Sequence, residues 1–344
     1  MRDNIAHFLQ FLSQHKEKHV YKYVGLILLT VQQACMPLLV RSTRYRKEDE
    51  VFITTVNVFI MEAIKLALCS GILIFQEKSI PRFLSSCKSA VFDDFSETMK
   101  ICIPAIIYIL QNNLYYVALT NLEPTTFCVT YQLKILTTAL MLKFILGKNI
   151  SPNQWIALVL LIVGISDVQL QYQPPAPMAG YLVQKPFVGF LAVATMCFTS
   201  AFAGVYMEKV LKQSTVNVWM QNIRLALFGL VISLISMLYR DYNTIQIDGF
   251  FRGFDGAVCL MTFMNASGGL LIAVVMKYAD NIMKSYAQST AIVGAAIGSW
   301  LLFDFVPNGL FVFGTALVVI SIIIYTKYPP KEDKSFLVHT TQKE

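Results

Sequence analysis

The chain has 344 residues, of which 56% are hydrophobic and only 14% are charged. Soluble domains carry about 25% charged residues, so this composition excludes an ordinary soluble protein and predicts an all-α polytopic membrane protein. The net charge of +7 comes from basic residues spread over short connections, which excludes a nucleic-acid-binding patch and bears on membrane orientation instead.

The predicted elements are ten apolar stretches, each close to the roughly 20 residues that a membrane-spanning helix needs. In chain order they cover residues 22–40, 53–75, 98–119, 124–146, 153–170, 187–209, 217–239, 256–277, 281–303 and 307–326. We therefore predict one ten-helix membrane domain over residues 21–328, with cytosolic tails at 1–20 and 329–344.

Lysine and arginine residues in the connections and near the ends of the spans are divided unequally between the two sides. With the N-terminus in the cytosol, seventeen fall on the cytosolic side, and the positive-inside rule then places both termini there. The other side has seven, namely Arg41, Arg44, Arg46, Lys47, Lys185, Arg240 and Arg252. The cluster at 41–47 opposes this orientation, although three acidic residues follow it directly.

Two similar hairpins suggest that the chain consists of two halves. Residues 121–124 join the third and fourth spans, and residues 278–281 join the eighth and ninth. We predict two five-helix repeats, at about 21–170 and 187–328, with a luminal linker at 171–186. Because each half has an odd number of helices, the repeats must be inverted, as in many secondary transporters that bind their cargo at the midplane.

Apart from charges near the span ends that are counted with the connections, four cations lie within the predicted spans, and Glu62 and Asp167 are the clear carboxylates there. The cations are Lys65, Lys134, Arg224 and Lys284. A charge at mid-bilayer depth costs roughly 3 kcal/mol or more, so it tends to face a cavity or a partner. The positive surplus predicts an anionic ligand from outside the chain.

Each cation also has a structural interpretation. Lys65 follows Glu62 by three residues and is expected to pair with it. Lys134 either lines a cavity or forms a salt bridge to Asp167 or Glu62.

The other two cations lie nearer to helix ends. Arg224 either faces the cavity or extends to the headgroups. Lys284 either pairs with Asp280, four residues earlier, or points inward beside a helix N-terminus that favours anions.

Polar side chains inside the third and fourth spans are candidate ligand contacts. Tyr108, Gln111 and Asn112 are three or four residues apart, which places Tyr108 near both amides on one helix face. Tyr131 precedes Lys134 by three residues and shares its face. The alternative for the amides is hydrogen bonding between helices.

The sixth and seventh spans contribute two further candidates. Ser200 lies in a run of small residues that permits close helix packing, and its hydroxyl is also suited to bind a ligand. Asn222, near the start of the seventh span, is a candidate for lining the cavity.

Several chemistries lack their motifs in this sequence. There is no GxxxxGK[ST] sequence for ATP, the seven cysteines lack metal-ligand spacing, and the four histidines lie in the two tails. We expect no enzymatic activity, no cofactor and no metal.

Four long stretches resemble the nucleotide-sugar transporters of the drug/metabolite transporter superfamily. They are LQNNLYYVAL at 110–119, VTYQLKILTTA at 129–139, FAGVYMEK at 202–209 and KYADNIMK at 277–284. With the ten-span layout, the resemblance covers about residues 20–328 and points to the branch that carries UDP-galactose, UDP-N-acetylglucosamine and CMP-sialic acid.

The resemblance implies roles for individual residues. Tyr108, Gln111 and Asn112 resemble ligand contacts, while Lys134 and Lys284 resemble phosphate-binding lysines. Ser200 and Asn222 resemble residues near the base and ribose.

The chain departs from the family at several positions. Phe127 lacks a tyrosine hydroxyl, and Arg224 replaces a common glutamine. Ala226 stands where CMP-sialic acid carriers have tyrosine, which favours a UDP-sugar. Ser285 and Tyr286 replace the usual Gly-Phe, so sugar contacts are expected to differ there.

The implied function is an antiporter that moves a cytosolic UDP-sugar into the Golgi or ER lumen in exchange for UMP by alternating access. Its partners would be these ligands and membrane lipid, with a homodimer or an association with glycosyltransferases also open. Alternatives are a carrier for CMP-sialic acid or another nucleotide-linked anion, and a non-transporting scaffold for glycosyltransferases.

Overall fold

The computed structural model describes residues 24–47, 51–93, 95–146, 149–171, 183–213, 218–278 and 281–329, and its elements there are helices. A π-helical turn, Ser89–Asp93, follows the third helix. The α-helices are α1 (Val24–Arg44), α2 (Thr54–Glu77), α3 (Ile80–Lys88), α4 (Phe95–Lys100), α5 (Cys102–Asn121), α6 (Pro124–Thr130), α7 (Leu133–Leu146), α8 (Pro152–Gln171), α9 (Pro186–Gln213), α10 (Val218–Arg240), α11 (Tyr242–Asp248), α12 (Gly256–Tyr278), α13 (Asn281–Phe303) and α14 (Gly309–Lys327). The predicted tails and the linker at 171–186 lie mostly outside the described residues.

Local sequence explains where several helices begin. Ser151 and Gln154 form a capping box at the start of α8, in which each side chain accepts the other residue's backbone N–H, at 3.2 and 3.1 Å. Asn308 caps α14 by accepting the Phe311 N–H at 2.7 Å. The Glu123 carboxylate caps α6 by accepting the Thr125 N–H at 2.8 Å.

Within the described residues, seven helical segments are long and apolar enough to cross a membrane. They are Val24–Arg44, Thr54–Glu77, Glu97–Asn121, Pro152–Gln171, Pro186–Gly204, Trp219–Arg240 and Gly309–Lys327. The protein is therefore a polytopic helical membrane protein. The prediction of one continuous helix at 124–146 is wrong, because that stretch is divided into α6 and α7.

Small residues bring two pairs of helices into close contact. A Cβ atom on Gly164 of α8 would lie 2.7 Å from the carbonyl oxygen of Gly314 in α14. A Cβ atom on Gly229 of α10 would lie 2.5 Å from a carboxylate oxygen of Glu62 in α2. These two helix pairs therefore depend on glycine at the contact.

Helix contacts in the first part of the chain have counterparts in the second. The pairs α2–α10, α8–α14 and α6–α13 join helices that hold the same place in the two predicted halves. The pairs α5–α10 and α7–α8 correspond to α2–α12 and α13–α14. The pair α5–α9 corresponds to α1–α12, where Gln32 donates to the Met264 carbonyl. The pair α7–α9 corresponds to α1–α13, where Ala34 lies against Gly294.

The arginine cluster after α1 is held by internal contacts. Arg41 is buried and donates to the carbonyls of Leu119 and Thr120 at 3.1 and 3.0 Å, at the end of α5. Arg44 donates to the Thr120 hydroxyl at 2.9 Å. Arg46 forms a 2.9 Å ion pair with Asp255. Arg41 therefore satisfies carbonyls at the end of a helix, and Arg44 and Arg46 also have partners within the protein.

Candidate functional site

Two amide side chains in α5 differ in whether their nitrogen donates a hydrogen bond within the protein. The Asn113 side-chain nitrogen donates to the Ile109 carbonyl of its own helix at 2.9 Å, while the Asn113 side-chain oxygen is buried without a hydrogen-bond partner in the described residues. The side-chain nitrogen of Gln111 is buried and has no hydrogen-bond partner. Asn112 and Tyr108 are half-buried. Because an unpaired buried donor is costly, Gln111 has an unused donor for a bound ligand.

A series of aromatic rings leads from α5 to Lys134. The Tyr115 ring meets the Phe127 ring at a centroid distance of 5.2 Å, and Phe127 stacks on Tyr131 at 5.7 Å. The Lys134 ammonium lies 5.7 Å from the centroid of the Tyr131 ring. Tyr108 lies within electrostatic range of Tyr131. The structure thus brings three of the predicted site residues, Tyr108, Tyr131 and Lys134, near one another.

The break between α6 and α7 falls at Tyr131 and Gln132, directly before Lys134. The Gln132 backbone N–H turns to the Val129 carbonyl at 3.1 Å, three residues back instead of four. The Gln132 side-chain nitrogen then donates to the Cys128 carbonyl at 2.9 Å. The amide side chain therefore replaces the backbone hydrogen bond that the Cys128 carbonyl loses.

Helix α9 supports the same break from the other side. The Cys197 thiol donates to the Tyr131 carbonyl at 3.5 Å. The Thr137 hydroxyl donates to the Cys197 carbonyl at 3.1 Å. Interrupted helices of this kind carry the binding sites of several transporter folds.

Lys134 has no acidic partner among the described residues. Glu62 pairs instead with Lys65 at 2.7 Å, which confirms the pairing expected from their spacing. Asp167 contacts α14, and its Oδ2 atom has no hydrogen bond. In the described part of the chain, the charge of Lys134 is balanced only by the face of an aromatic ring.

The remaining predicted residues lie on helices around this break. Ser200 is buried on α9, one helical turn from Cys197. Asn222 is half-buried on α10, which packs against α5. The Lys284 side chain and Asp280 lie outside the described residues, although the backbone of residue 284 belongs to α13.

Arg224 does not extend to the headgroups. Its side chain is only 1% exposed, and its Nε atom donates to the Ala90 carbonyl at 2.9 Å, with a second nitrogen on the same oxygen. Its Nη1 atom also approaches Gln221 at 3.4 Å. Arg224 therefore joins α10 to the π-helical turn after α3.

Sequence reasoning did not predict that Gln132 stabilises a helix break, because residues 131–132 contain neither proline nor glycine, the usual signs of a break. The only signal is a glutamine in an apolar run. No group of three or more His, Cys, Asp or Glu side chains in the described residues is placed to hold a metal ion.

Comparison with protein families matches residues 17–326 to the family described as nucleotide-sugar transporter. The UDP-galactose/UDP-N-acetylglucosamine transporter srf-3 of Caenorhabditis elegans is 42% identical over 304 residues, covering 88% of this chain and 82% of its own. The Homo sapiens UDP-galactose translocator is 40% identical, covering 89% of this chain and 77% of its own. The Homo sapiens UDP-N-acetylglucosamine transporter is 39% identical, covering 90% and 96%.

A solved crystal structure shares this architecture. It is 16% identical, covers 95% of this chain and 99% of its own, and superposes with a TM-score of 0.52. At that identity the likeness concerns the fold alone.

Proposed function

This chain belongs to the nucleotide-sugar transporter family, and from that premise we propose that it carries a UDP-sugar, such as UDP-galactose or UDP-N-acetylglucosamine, across the membrane in exchange for UMP. The observation that carries the proposal is Lys134, a half-buried cation beside a helix break with no carboxylate partner in the described residues. A nucleotide phosphate supplies the charge that the site lacks. Three relatives at 39–42% identity carry the names of these UDP-sugars.

The binding site is proposed to hold Tyr108, Gln111, Asn112, Tyr131, Lys134, Ser200, Asn222 and Lys284. Lys134 and Lys284 neutralise the phosphates, and the amides of α5 and α10 hydrogen-bond the base and ribose. Supporting this, Gln111 has an unused buried donor, and Ser200 lies one turn from the Cys197 that braces the break before Lys134.

The ten spans are proposed to form two inverted five-helix repeats. Supporting this arrangement, three helix pairs join equivalent helices of the two halves, and four further pairs each have a counterpart in the other half. The two halves then rock about the central site to give alternating access. A positively charged site without a ligand changes its access from one side to the other poorly. Each half-cycle therefore carries a phosphate, and UDP-sugar entry is coupled to UMP exit.

Both termini are proposed to be cytosolic, in a Golgi or ER membrane. The cluster at 41–47 is the main objection to this orientation, and its weight is reduced because Arg41 and Arg44 bond to α5. The side with α3 and the loop at 147–151 then faces the cytosol.

Two departures from the family are accommodated by packing. Phe127 stacks on Tyr131 and meets Tyr115, so its ring is used without a hydroxyl. Ala226 is 1% exposed, so a larger side chain there requires displacement of its neighbours. Because the resemblance implies a tyrosine at this position in CMP-sialic acid carriers, Ala226 favours a UDP-sugar over CMP-sialic acid.

The test is uptake into proteoliposomes by the full-length protein. Labelled UDP-, CMP- and GDP-sugars are supplied outside, and the vesicles are preloaded with UMP, with CMP or with buffer alone. We expect UDP-sugar uptake that requires internal UMP. Preference for CMP-sialic acid with internal CMP contradicts the proposed cargo, and no uptake of any nucleotide sugar by folded protein favours the scaffold alternative.

A further inference from the structure

Helix α3 has an apolar side that only partly packs on the protein. Phe83 is 8% exposed and packs in a cluster with Leu73 of α2 and Ile223 of α10. Ile80 and Leu84, one turn apart on the neighbouring side, are each 59% exposed. Because α3 begins three residues after the apolar span α2 ends, these two side chains lie level with the membrane boundary.

The same segment is basic. Residues 78–92 contain three cations, Lys78, Arg82 and Lys88, whereas the neighbouring carboxylates, Glu77, Asp93 and Asp94, lie at the two ends of this segment. All three side chains are exposed, and none forms an ion pair with a described residue. Lys78 ends α2 in the left-handed conformation, with φ 54°, which turns the chain into α3. An exposed apolar stripe beside unpaired cations is typical of a helix that lies in the headgroup layer.

We propose that α3 is a binding surface for anionic phospholipid at this end of the bundle. Ile80 and Leu84 insert beside the acyl chains, and Lys78, Arg82 and Lys88 bind the phosphate and carboxylate groups of the lipid headgroups. Phe83 meanwhile anchors the helix to α2 and α10.

This surface is joined to the transport site by Arg224. That buried arginine bonds to the Ala90 carbonyl, just after α3, and belongs to α10, which also carries Asn222. Resting on the proposed function, this link means that lipid bound to α3 sets the position of a helix that contacts the cargo. Anionic lipid then affects the exchange rate.

Lipid binding is measured without any transport. The full-length protein with Leu84→Trp is reconstituted in phosphatidylcholine vesicles containing a minor fraction of phosphatidylserine, with bromine on the acyl chains of one lipid or the other. We expect brominated phosphatidylserine to quench the added tryptophan fluorescence more than its mole fraction predicts. Arg82→Gln with Lys88→Gln should reduce that preference by roughly fivefold for each cation.

The matched control is Lys185→Gln with Arg240→Gln, which removes two exposed cations at the opposite end of the bundle and should leave the preference unchanged. Quenching by neither lipid, quenching in proportion to mole fraction, or an equal loss in the control overturns the lipid surface.

A second measurement tests the link to the site. Exchange by the wild-type protein should depend on phosphatidylserine, and Arg82→Gln with Lys88→Gln should lose that dependence. Exchange that is indifferent to phosphatidylserine overturns the link through Arg224. Lipid preference without any nucleotide-sugar exchange contradicts the proposed function and leaves the lipid surface standing.

Discussion

Gln111 and Asn113 lie two residues apart in α5 and differ in what their amides contact. The Gln111 nitrogen is a buried donor without a partner, whereas the Asn113 nitrogen donates to its own helix at 2.9 Å and only the Asn113 oxygen, an acceptor, is unpaired. We predict that Gln111→Leu raises the KM for UDP-sugar about fivefold, because a lost hydrogen bond to a neutral group of the base or ribose costs about 1 kcal/mol. Initial rates of uptake against cargo concentration measure this.

Asn113→Leu is the control on the same helix. It removes a bond within α5, so the KM should remain within about twofold of the wild-type value, since no ligand contact is lost. A change in KM for Asn113→Leu that equals the change for Gln111→Leu contradicts the distinction between the two amides.

Single residues were predictable where their partner lies on the same helix. Glu62 and Lys65 are three residues apart, and helix geometry alone brings them to 2.7 Å. Arg224 was not predictable, because its partner is a main-chain carbonyl 134 residues away, and sequence carries no sign of which carbonyl a fold presents.

At the scale of elements, hydropathy locates helices but not their interruptions. The predicted span at 53–75 is found as Thr54–Glu77, and the one at 307–326 as Gly309–Lys327. The stretch at 124–146 is equally apolar, yet the helix breaks at Tyr131 and Gln132 through side-chain contacts from the same segment and from α9. Such tertiary contacts leave no periodic signal in the sequence.

Gln132 should therefore matter beyond stability. Gln132→Leu leaves the Cys128 carbonyl without its 2.9 Å partner and favours a continuous helix, which rotates Lys134 away from the ring of Tyr131. We predict a loss of about 1–3 kcal/mol in stability and, in addition, a large fall in exchange rate per folded molecule. Thermal unfolding in detergent and counterflow in proteoliposomes measure the two effects.

Gln154→Leu separates these effects. Gln154 is also buried and donates to a main-chain carbonyl, that of Tyr325, at 3.2 Å, but it lies at the start of α8. Its loss should lower the unfolding temperature similarly while leaving exchange per folded molecule intact. Comparable losses of exchange in both variants would mean that Gln132 acts only through stability.

At the scale of the whole molecule, contacts between loops fall into two groups that match the predicted sides. Ser151 bonds to the Tyr328 carbonyl, and both belong to the predicted cytosolic side. Lys185 bonds to Asn121, and both belong to the opposite side. Sequence predicts this alternation because each span reverses the side, whereas the pairing of helices across the halves depends on packing that the sequence does not display.

Glycosylation mapping tests the orientation. Met178→Asn with Gly180→Ser creates an Asn-Ala-Ser sequon in the linker at 171–186, and the linker is predicted to be luminal. We predict that this sequon is glycosylated in cells, which a shift in gel mobility reversed by an amidase detects. Leu337→Asn with His339→Thr creates a sequon in the C-terminal tail that should stay unmodified, and the reverse pattern contradicts the topology.

The role of Lys134 as the cation that neutralises the cargo is tested most directly by comparing two lysines of α7. Lys134→Gln removes a half-buried cation at the helix break, whereas Lys143→Gln removes an exposed one, 4.9 Å from the Trp155 ring centroid. UDP-sugar/UMP counterflow is measured for both in proteoliposomes at matched protein content. The expected result is a fall of about 30-fold or more for Lys134→Gln, since losing one partner of a buried charge pair costs about 2–5 kcal/mol, with little change for Lys143→Gln. Wild-type exchange by Lys134→Gln would contradict the assignment of this lysine to the cargo phosphates.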